Sequence, residues 1–318
     1  MKRALPILAV LVVLLVAIAM ANPFFLEPAG FLTFLKRAAP LVILAAGQYF
    51  VIVAGEFDLS VGSLVTAEVV IAARLIDGDE SATWPVLALL ILAGPLVGLV
   101  NGLVTTKLRV PSFIVTLGML LVLSGAVFLW TGGAPRGALS EGFRMFGRGG
   151  LGAVPWSVLI LLAAGGAAIR LMRADFGRTL MATGDNERAA ALSGVRVDRV
   201  KIFAFMLSGL SAAVAAILLG GFAGVSAQVG QGLEFSAITA VVLGGVALGG
   251  GRGSALAAMA GAVTLEALFT LLNLYGISGA LEFTVQGVII IAAVAAGALR
   301  LPLLRKPTPR RGDVHAAS

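Results

Sequence analysis

Residues Gly184 to Lys201 read GDNERAAALSGVRVDRVK, a charged island between two long apolar blocks. From Arg173 to Lys201 the chain carries six basic residues (Arg173, Arg178, Arg188, Arg196, Arg199, Lys201) and four acidic ones (Asp175, Asp185, Glu187, Asp198). Charge is sparse elsewhere: 12% of all residues are charged and 59% are hydrophobic. A segment this polar has no place in lipid. Its basic content puts it on the cytoplasmic face, where a second protein can push on this one.

The apolar blocks are about 20 residues each, long enough for a helix to cross a hydrocarbon core about 30 Å thick. With a mean hydropathy of +1.04, the chain reads as an all-α, polytopic membrane protein. A β-barrel would need short alternating strands, and these blocks are continuous runs. There is no cysteine, which excludes disulfides, thiolate metal sites and cysteine nucleophiles. The single histidine, His315, falls in a hydrophilic tail and cannot serve an intramembrane Ser–His pair. The net charge of +7 reports orientation and not nucleic-acid binding, because basic and aromatic residues do not interleave. Met1-Lys2-Arg3 and the apolar run ending Ala19-Met20-Ala21 resemble a secretory signal, but the blocks that follow favour an uncleaved first span.

Hydrophobicity predicts ten spans, near Leu5–Ala21, Ala38–Gly55, Ser60–Ile76, Pro85–Thr105, Pro111–Thr131, Pro155–Leu171, Ile202–Phe222, Phe235–Gly250, Ser254–Asn273 and Phe283–Leu299. If all ten cross and Lys2 and Arg3 are cytoplasmic, 17 of the 23 basic residues lie inside. The opposite side keeps Lys36, Arg37, Arg74, Arg136, Arg144 and Arg148. Both termini are then cytoplasmic. The whole of 1–318 reads as one transmembrane domain: a first span and interfacial segment over 1–37, a first repeat over 38–131, a coupling loop over 173–201, a second repeat over 202–299 and a basic tail over 300–318.

Small residues at four-residue spacing, Gly94/Gly98/Gly102 and Gly245/Gly249, allow close helix–helix approach. A weak internal repeat is more informative. Glu56-Phe57-Asp58-Leu59-Ser60 and Gly232-Leu233-Glu234-Phe235-Ser236 both show an acid, one apolar residue and a serine opening the next span. Spans two to five and seven to ten are then inverted copies, as in transporters whose path runs along the repeat interface. Asp58 or Ser60 can cap the third span. An ionised carboxylate at mid-membrane costs about 2.5–3.5 kcal/mol on an insertion scale, so Glu56 and Asp58 face protein, water or the interface. Gln48, Asn101, Thr116, Glu266, Asn273 and Gln286 also interrupt apolar blocks. Each can serve as an interhelical hydrogen-bond partner, and together with Glu56, Asp58 and Ser60 they can line a route for a hydroxylated solute.

Within the charged island, Asp185 or Asn186 can cap a short helix through Ala189, Ala190, Ala191 and Leu192, and Gly194 can end it. Such a helix suits insertion into a groove on a partner, although a plain solvated loop obeys the same charge bias. The stretch FGRTLMATGDNERAAALSGVRVDRVKIFAFMLSG resembles the cytoplasmic loop of simple-sugar (ribose-type) ABC importer permeases, in the branched-chain amino acid/monosaccharide permease superfamily. Further blocks appear in the family's order: GEFDLSVGS at 55–63, NGLVTTKLRVPSFIVTLGML at 101–120 and VSAQVGQGLEFSAITAVVLGGVALGGGRGS at 225–254. The resemblance spans roughly 35–297. It implies a fold of about ten helices with an inverted repeat, similar to the cobalamin-importer permeases. It also implies that a cassette ATPase docks on Gly184, Asn186, Glu187, Ala189, Ala190, Ser193 and Gly194. The implied partners are ATPase subunits, an extracytoplasmic sugar-binding protein and a second permease copy or paralogue, in a bacterial plasma (inner) membrane. The chain departs from the pattern at Glu56-Phe57, where glycine and isoleucine are usual, and at Asp185, often glycine.

The sequence contains no G-x-x-x-x-G-K-[ST]. Gly249-Gly250-Gly251-Arg252-Gly253 lacks the phosphate-binding lysine and reads as a tight turn. The chain is therefore expected to hydrolyse no ATP and to hold no cofactor or metal itself, ATP and Mg being bound by the partner. No catalytic residue is expected either. An ion-coupled secondary transporter using Asp58, Glu234 or Glu266 is the rival reading, and nucleoside or branched-chain amino acid permeases are alternatives within the ABC class. An intramembrane hydrolase lacks its residues.

Overall fold

The computed structural model describes residues 5–277 and 279–303. Lys2, Arg3, His315 and the basic tail from residue 304 lie outside the described residues. The described chain is helical almost throughout: α1 (Leu5–Ala21), α2 (Pro28–Val53), α3 (Val61–Ile76), α4 (Thr83–Lys107), α5 (Ser112–Thr131), α6 (Glu141–Arg148), α7 (Trp156–Arg173), α8 (Asp175–Asp185), α9 (Glu187–Leu192), α10 (Val197–Ala223), α11 (Leu233–Leu243), α12 (Ala255–Leu274) and α13 (Ala280–Leu303). Gly150–Leu151 and Val154–Pro155 pair as a two-stranded antiparallel ribbon. Among the described residues, six helical runs are long and apolar enough to cross a membrane: α2, Glu80–Lys107 with α4, α5, α7, α10 and α12. Apolar stretches in α1, α11 and α13 are shorter.

Each of the ten predicted spans falls on a helix, with two differences in extent. The second begins ten residues early, at Pro28, where the proline's fixed φ and missing N–H suit the first helical turn. Lys36 and Arg37 therefore sit inside α2. Lys36 Nζ donates to Arg148 O at 3.2 Å and lies over the Phe222 ring. The eighth span is cut short. α11 has 11 residues, a rise of about 16 Å, roughly half of a bilayer core. Gly245, at φ 78°, ends it with N–H bonds from Gly245 to Val242 O and from Val246 to Val241 O. Gly245 and Gly249 thus lie in a loop and form no helix face, correcting the spacing argument there.

The other glycine series behaves as the spacing predicts. A Cβ on Gly94, Gly98 or Gly102 of α4 would stand 2.4 Å from Gly209 O, 2.2 Å from Phe205 O and 2.8 Å from Ile202 Cα. The backbones of α4 and α10 are in contact along this stripe. Every residue from Ala38 to Ala54 is buried, so α2 is the bundle's central helix and needs apolar residues on all sides. α1 packs on α12 through Ile18 and Ala267. α5 leaves Phe113, Ile114, Leu121, Val122, Phe128 and Leu129 exposed.

Two helices escaped the hydropathy reading because they are amphipathic. Ser140 Oγ accepts the Phe143 N–H at 3.2 Å and starts α6, whose Phe143 is fully buried. α8 fills the charged segment ahead of α9.

Candidate functional site

α9 is only six residues long, too short to persist without help at its ends. Asn186 Oδ1 accepts the Ala189 N–H at 2.9 Å, so Asn186 is the cap and Asp185 closes α8. At the other end Gly194 takes φ 87°. Its N–H reaches Ala191 O at 3.0 Å, and that of Val195 reaches Ala190 O at 3.1 Å, a paired C-terminal cap. Ser193 Oγ adds a bond to Ala189 O at 3.0 Å.

The α9 segment is fastened to the bundle at three points. Lys201 Nζ, on α10, lies 2.7 Å from Glu56 Oε1 and 2.8 Å from Glu187 Oε2. The Lys201 and Glu56 side chains are 11% and 13% exposed, so the bond between them is poorly screened, whereas Glu187 is mostly exposed. Ala190 is buried and faces the protein. A Cβ on Gly184 would fall 1.8 Å from Val53 O and 2.5 Å from Gly251 N, so only glycine fits where α8, the end of α2 and the 244–254 loop converge. Gly251 N–H also donates to Val53 O at 2.9 Å. The glycine-rich run is thus a packed turn. Arg252 Nε and Asp185 Oδ1, 3.7 Å apart and mostly exposed, add little.

The exposed residues of α9 and its C-cap are Glu187, Arg188, Ala189, Ala191, Leu192 and Ser193. Leu192 is 84% exposed. It is a protruding apolar residue flanked by small ones and by charge. Ala190, an expected docking residue, takes no part in this surface.

At the first acidic joint, Asp58 Oδ1 accepts Ser60 N–H at 3.0 Å and Ser60 Oγ–H at 2.6 Å. Asp58 therefore organises the start of α3, while Ser60 makes no cap bond of its own. Asn101 Nδ2 donates to Ser60 Oγ at 2.9 Å, Phe57 N–H to Ser112 Oγ at 3.1 Å, and Thr116 Oγ1 to Phe57 O at 3.3 Å. The second joint has a comparable pair, Gln286 Nε2 donating to Ser236 Oγ at 3.0 Å.

The two joints meet in space. Gly230 N–H donates to Thr66 Oγ1 at 3.0 Å, and a Cβ on Gly62 would stand 2.0 Å from Glu234 Oε2. From this meeting point α3 and α11 run to opposite ends of the bundle. α3 ends where Gly78 N–H bonds Ala138 O, next to α6, whose Gly147 lies on Gly221 and Phe222. α11 leads to the loop under Gly184.

The expected route residues thus divide into separate groups. Asp58, Ser60, Asn101 and Thr116 cluster at the first joint. Glu56 joins the α9 fastening instead. Gln286 and Glu266 line a cavity at the far end, where the exposed Asn273 bonds Glu282 at 3.1 Å. Gln48 is fully buried in α2, and neither of its amide atoms has a hydrogen-bond partner among the described residues. Lys201 was legible only as one charge of a cluster, and nothing near it in sequence points to Glu56. Among the described residues no three His, Cys, Asp or Glu side chains group as a metal site requires.

The family described as branched-chain amino acid transport system / permease component matches residues 30–294. The ribose import permease protein RbsC of Bacillus subtilis (strain 168) is 36% identical over 291 residues, 89% of this chain and 89% of that protein. RbsC of Escherichia coli (strain K12) is 35% identical over 295 residues, 90% and 91% of the two chains. The autoinducer 2 import system permease protein LsrC of Escherichia coli (strain K12 / DH10B) is 35% identical over 275 residues, 85% and 80%. No solved structure gives a significant match.

Proposed function

Because this chain belongs to the family of branched-chain amino acid transport system permease components, we propose that it is the permease subunit of an ATP-driven ABC importer for a monosaccharide. Separate cassette ATPase subunits power it, binding the ATP and Mg, and an extracytoplasmic sugar-binding protein feeds it. The sugar reading rests on the relatives described as ribose import permeases. The membrane is the bacterial plasma membrane, with both termini and α9 on the cytoplasmic side, as the distribution of basic residues favours. A second permease copy or a paralogue completes the conduit, and the apolar outer face of α5 is suited to such a contact.

The observation that carries this reading is the attachment of α9. A push on its exposed face reaches α10 through Lys201, α2 through Glu56 and Gly184, and the α11–α12 loop through Gly251. Three elements around the meeting joints are thereby loaded at once, which is what a switch between inward- and outward-open states requires. ATP supplies the work, and α9 receives it as displacement. The test is uptake of labelled D-ribose into vesicles holding the chain, its cassette ATPase and its binding protein. Accumulation should need all three and internal ATP. Accumulation without the ATPase would overturn the reading.

A further inference from the structure

We infer that the cleft between the last turn of α3 and the loop after α5 binds the phosphodiester of an anionic phospholipid through Arg74 and Arg136. Arg74 stands about 20 Å along α3 from Val61, at the end of the bundle away from α9.

Short-range bonds build the cleft from the chain itself. Thr131 closes α5: its Oγ1 donates to Val127 O at 2.8 Å and accepts the Gly133 N–H at 3.2 Å. Gly132, at φ 61°, then turns the chain away from the helix. The far side of the loop is pressed onto α3. A Cβ on Gly137, at φ 99°, would stand 2.2 Å from Ala73 O and 3.0 Å from Arg74 Cα, so only glycine fits there. Gly78 N–H donates to Ala138 O at 2.9 Å and fixes the same contact one residue on. Arg136, next to Gly137, is thereby carried to Arg74.

Two guanidiniums are thus gathered at a cleft of about 240 Å³, lined by Val70, Arg74, Trp130, Thr131, Gly132 and Arg136. Among the described residues no acid lines it, and neither arginine is in an ion pair, even with Asp77 in the same turn. The next acids have other partners, since Asp79 accepts from Ser81 and Glu80 accepts the Gly142 N–H at 3.1 Å. Like charges held together without a counter-charge select an anion. The planar guanidinium fork matches phosphate oxygens two at a time. The volume falls below the roughly 300–1,000 Å³ range of small-molecule pockets, which suits one headgroup phosphate.

The surroundings favour a lipid as its source. Trp130 is 52% exposed, and Phe128 and Leu129 just before it are 65% and 85% exposed. An exposed tryptophan at the end of an apolar span marks the headgroup level. Of the 20 residues of α5 only Ser112, Thr116 and Val127 are buried, so the helix has apolar surface for an acyl chain as well as for a second permease copy. One molecule can then lay its chain on the last turns of α5 and its phosphate on the arginines. A free phosphate gains only the charges, and an acidic protein surface leaves the apolar turn uncovered.

The test titrates the chain in detergent with brominated phosphatidylglycerol or brominated phosphatidylcholine and reads Trp130 fluorescence. Trp84→Phe and Trp156→Phe remove the other two tryptophans. Phosphatidylglycerol should quench at a mole fraction on the order of fivefold or more below that of phosphatidylcholine. Arg74→Gln with Arg136→Gln should abolish the difference and, both arginines being exposed, leave Tm unchanged. Native mass spectrometry of the chain with all its tryptophans should agree, phosphatidylglycerol being retained by the wild type and lost from the double variant. Equal quenching by the two lipids, or a preference that survives both substitutions, overturns the inference. A preference erased by excess inorganic phosphate overturns the lipid in favour of a free anion. Binding of an acidic extracytoplasmic protein that is lost in the double variant, with no lipid preference in the wild type, overturns it in favour of that protein.

Discussion

Lys201 Nζ stands 2.7 Å from Glu56 Oε1, which ties the start of α10 to the end of α2 at the point where Glu187 arrives from α9. A nearly enclosed ammonium shared by two carboxylates is strong evidence of positioning and weaker evidence of net stability, because Lys201 and Glu56 both lose hydration. A double-mutant cycle with Glu56→Gln and Lys201→Met, read by thermal unfolding in detergent, should give a coupling energy of about 0.5–3 kcal/mol. Lys201→Met should also lower ATP-driven uptake more than it lowers co-purification of the ATPase. Additive effects in the cycle would remove the link from the mechanism.

Asp58 is nearly fully buried and accepts both the N–H and the hydroxyl of Ser60. Asp58→Asn keeps one carbonyl acceptor for these donors. Asp58→Leu keeps none and releases Ser60 from the geometry in which it accepts Asn101. Leaving a buried donor without its acceptor costs about 1–3 kcal/mol, so the leucine variant should unfold at a clearly lower temperature than the asparagine one. Equal losses would mean that the charge, and not the hydrogen bonds to Ser60, matters at this joint.

The contact between α4 and α10 leaves no room for a side chain at Gly98, whose Cβ would meet Phe205 O at 2.2 Å. Gly98→Val should destabilise the chain by about 1–3 kcal/mol or more through overpacking. Gly166→Val, on the exposed side of α7 where a Cβ meets nothing within 4 Å, should be nearly silent. Thermal unfolding of the two variants side by side checks this, and equal effects would contradict the backbone contact.

At the turn after α3, Asp79 Oδ1 accepts the Ser81 O–H and N–H, both at 2.8 Å, and these bonds hold its carboxyl below the ordinary aspartate value. The sign follows: a depressed pKa stabilises the turn above the unfolded value and loses that contribution as pH falls through the folded one. Carboxyl NMR titration should find Asp79 below 3.8, and Ser81→Ala should bring it back towards that value. Because Ser81→Ala keeps the backbone N–H, an unchanged titration would exclude the Ser81 hydroxyl bond as a cause.

Much of this architecture could be read in the sequence because span length and apolar content are local properties. All ten blocks became helices, and the Gly94/Gly98/Gly102 stripe packed as its spacing implied. Local reading failed where a distant contact changed the meaning of a residue. Lys36 and Arg37 read as charges ahead of the second span, yet both lie inside α2, where Arg148 O and Phe222 receive Lys36. Gly245 reads as part of a helix face until its positive φ ends the helix. Glu56 has no visible partner in sequence because Lys201 approaches from another helix. The matched acid–serine joints were visible as a weak pattern, but their contact through Gly230 and Thr66 was not.

We propose that the ATPase grips α9 through the face carrying Leu192 and not through the buried Ala190. The direct measurement is thiol cross-linking of single-cysteine variants in membranes containing the cassette ATPase. Leu192→Cys should cross-link to the ATPase, and Gly78→Cys, on the turn at the opposite end of α3, should not. Cross-linking from position 78 with none from position 192 would contradict docking of the ATPase on α9.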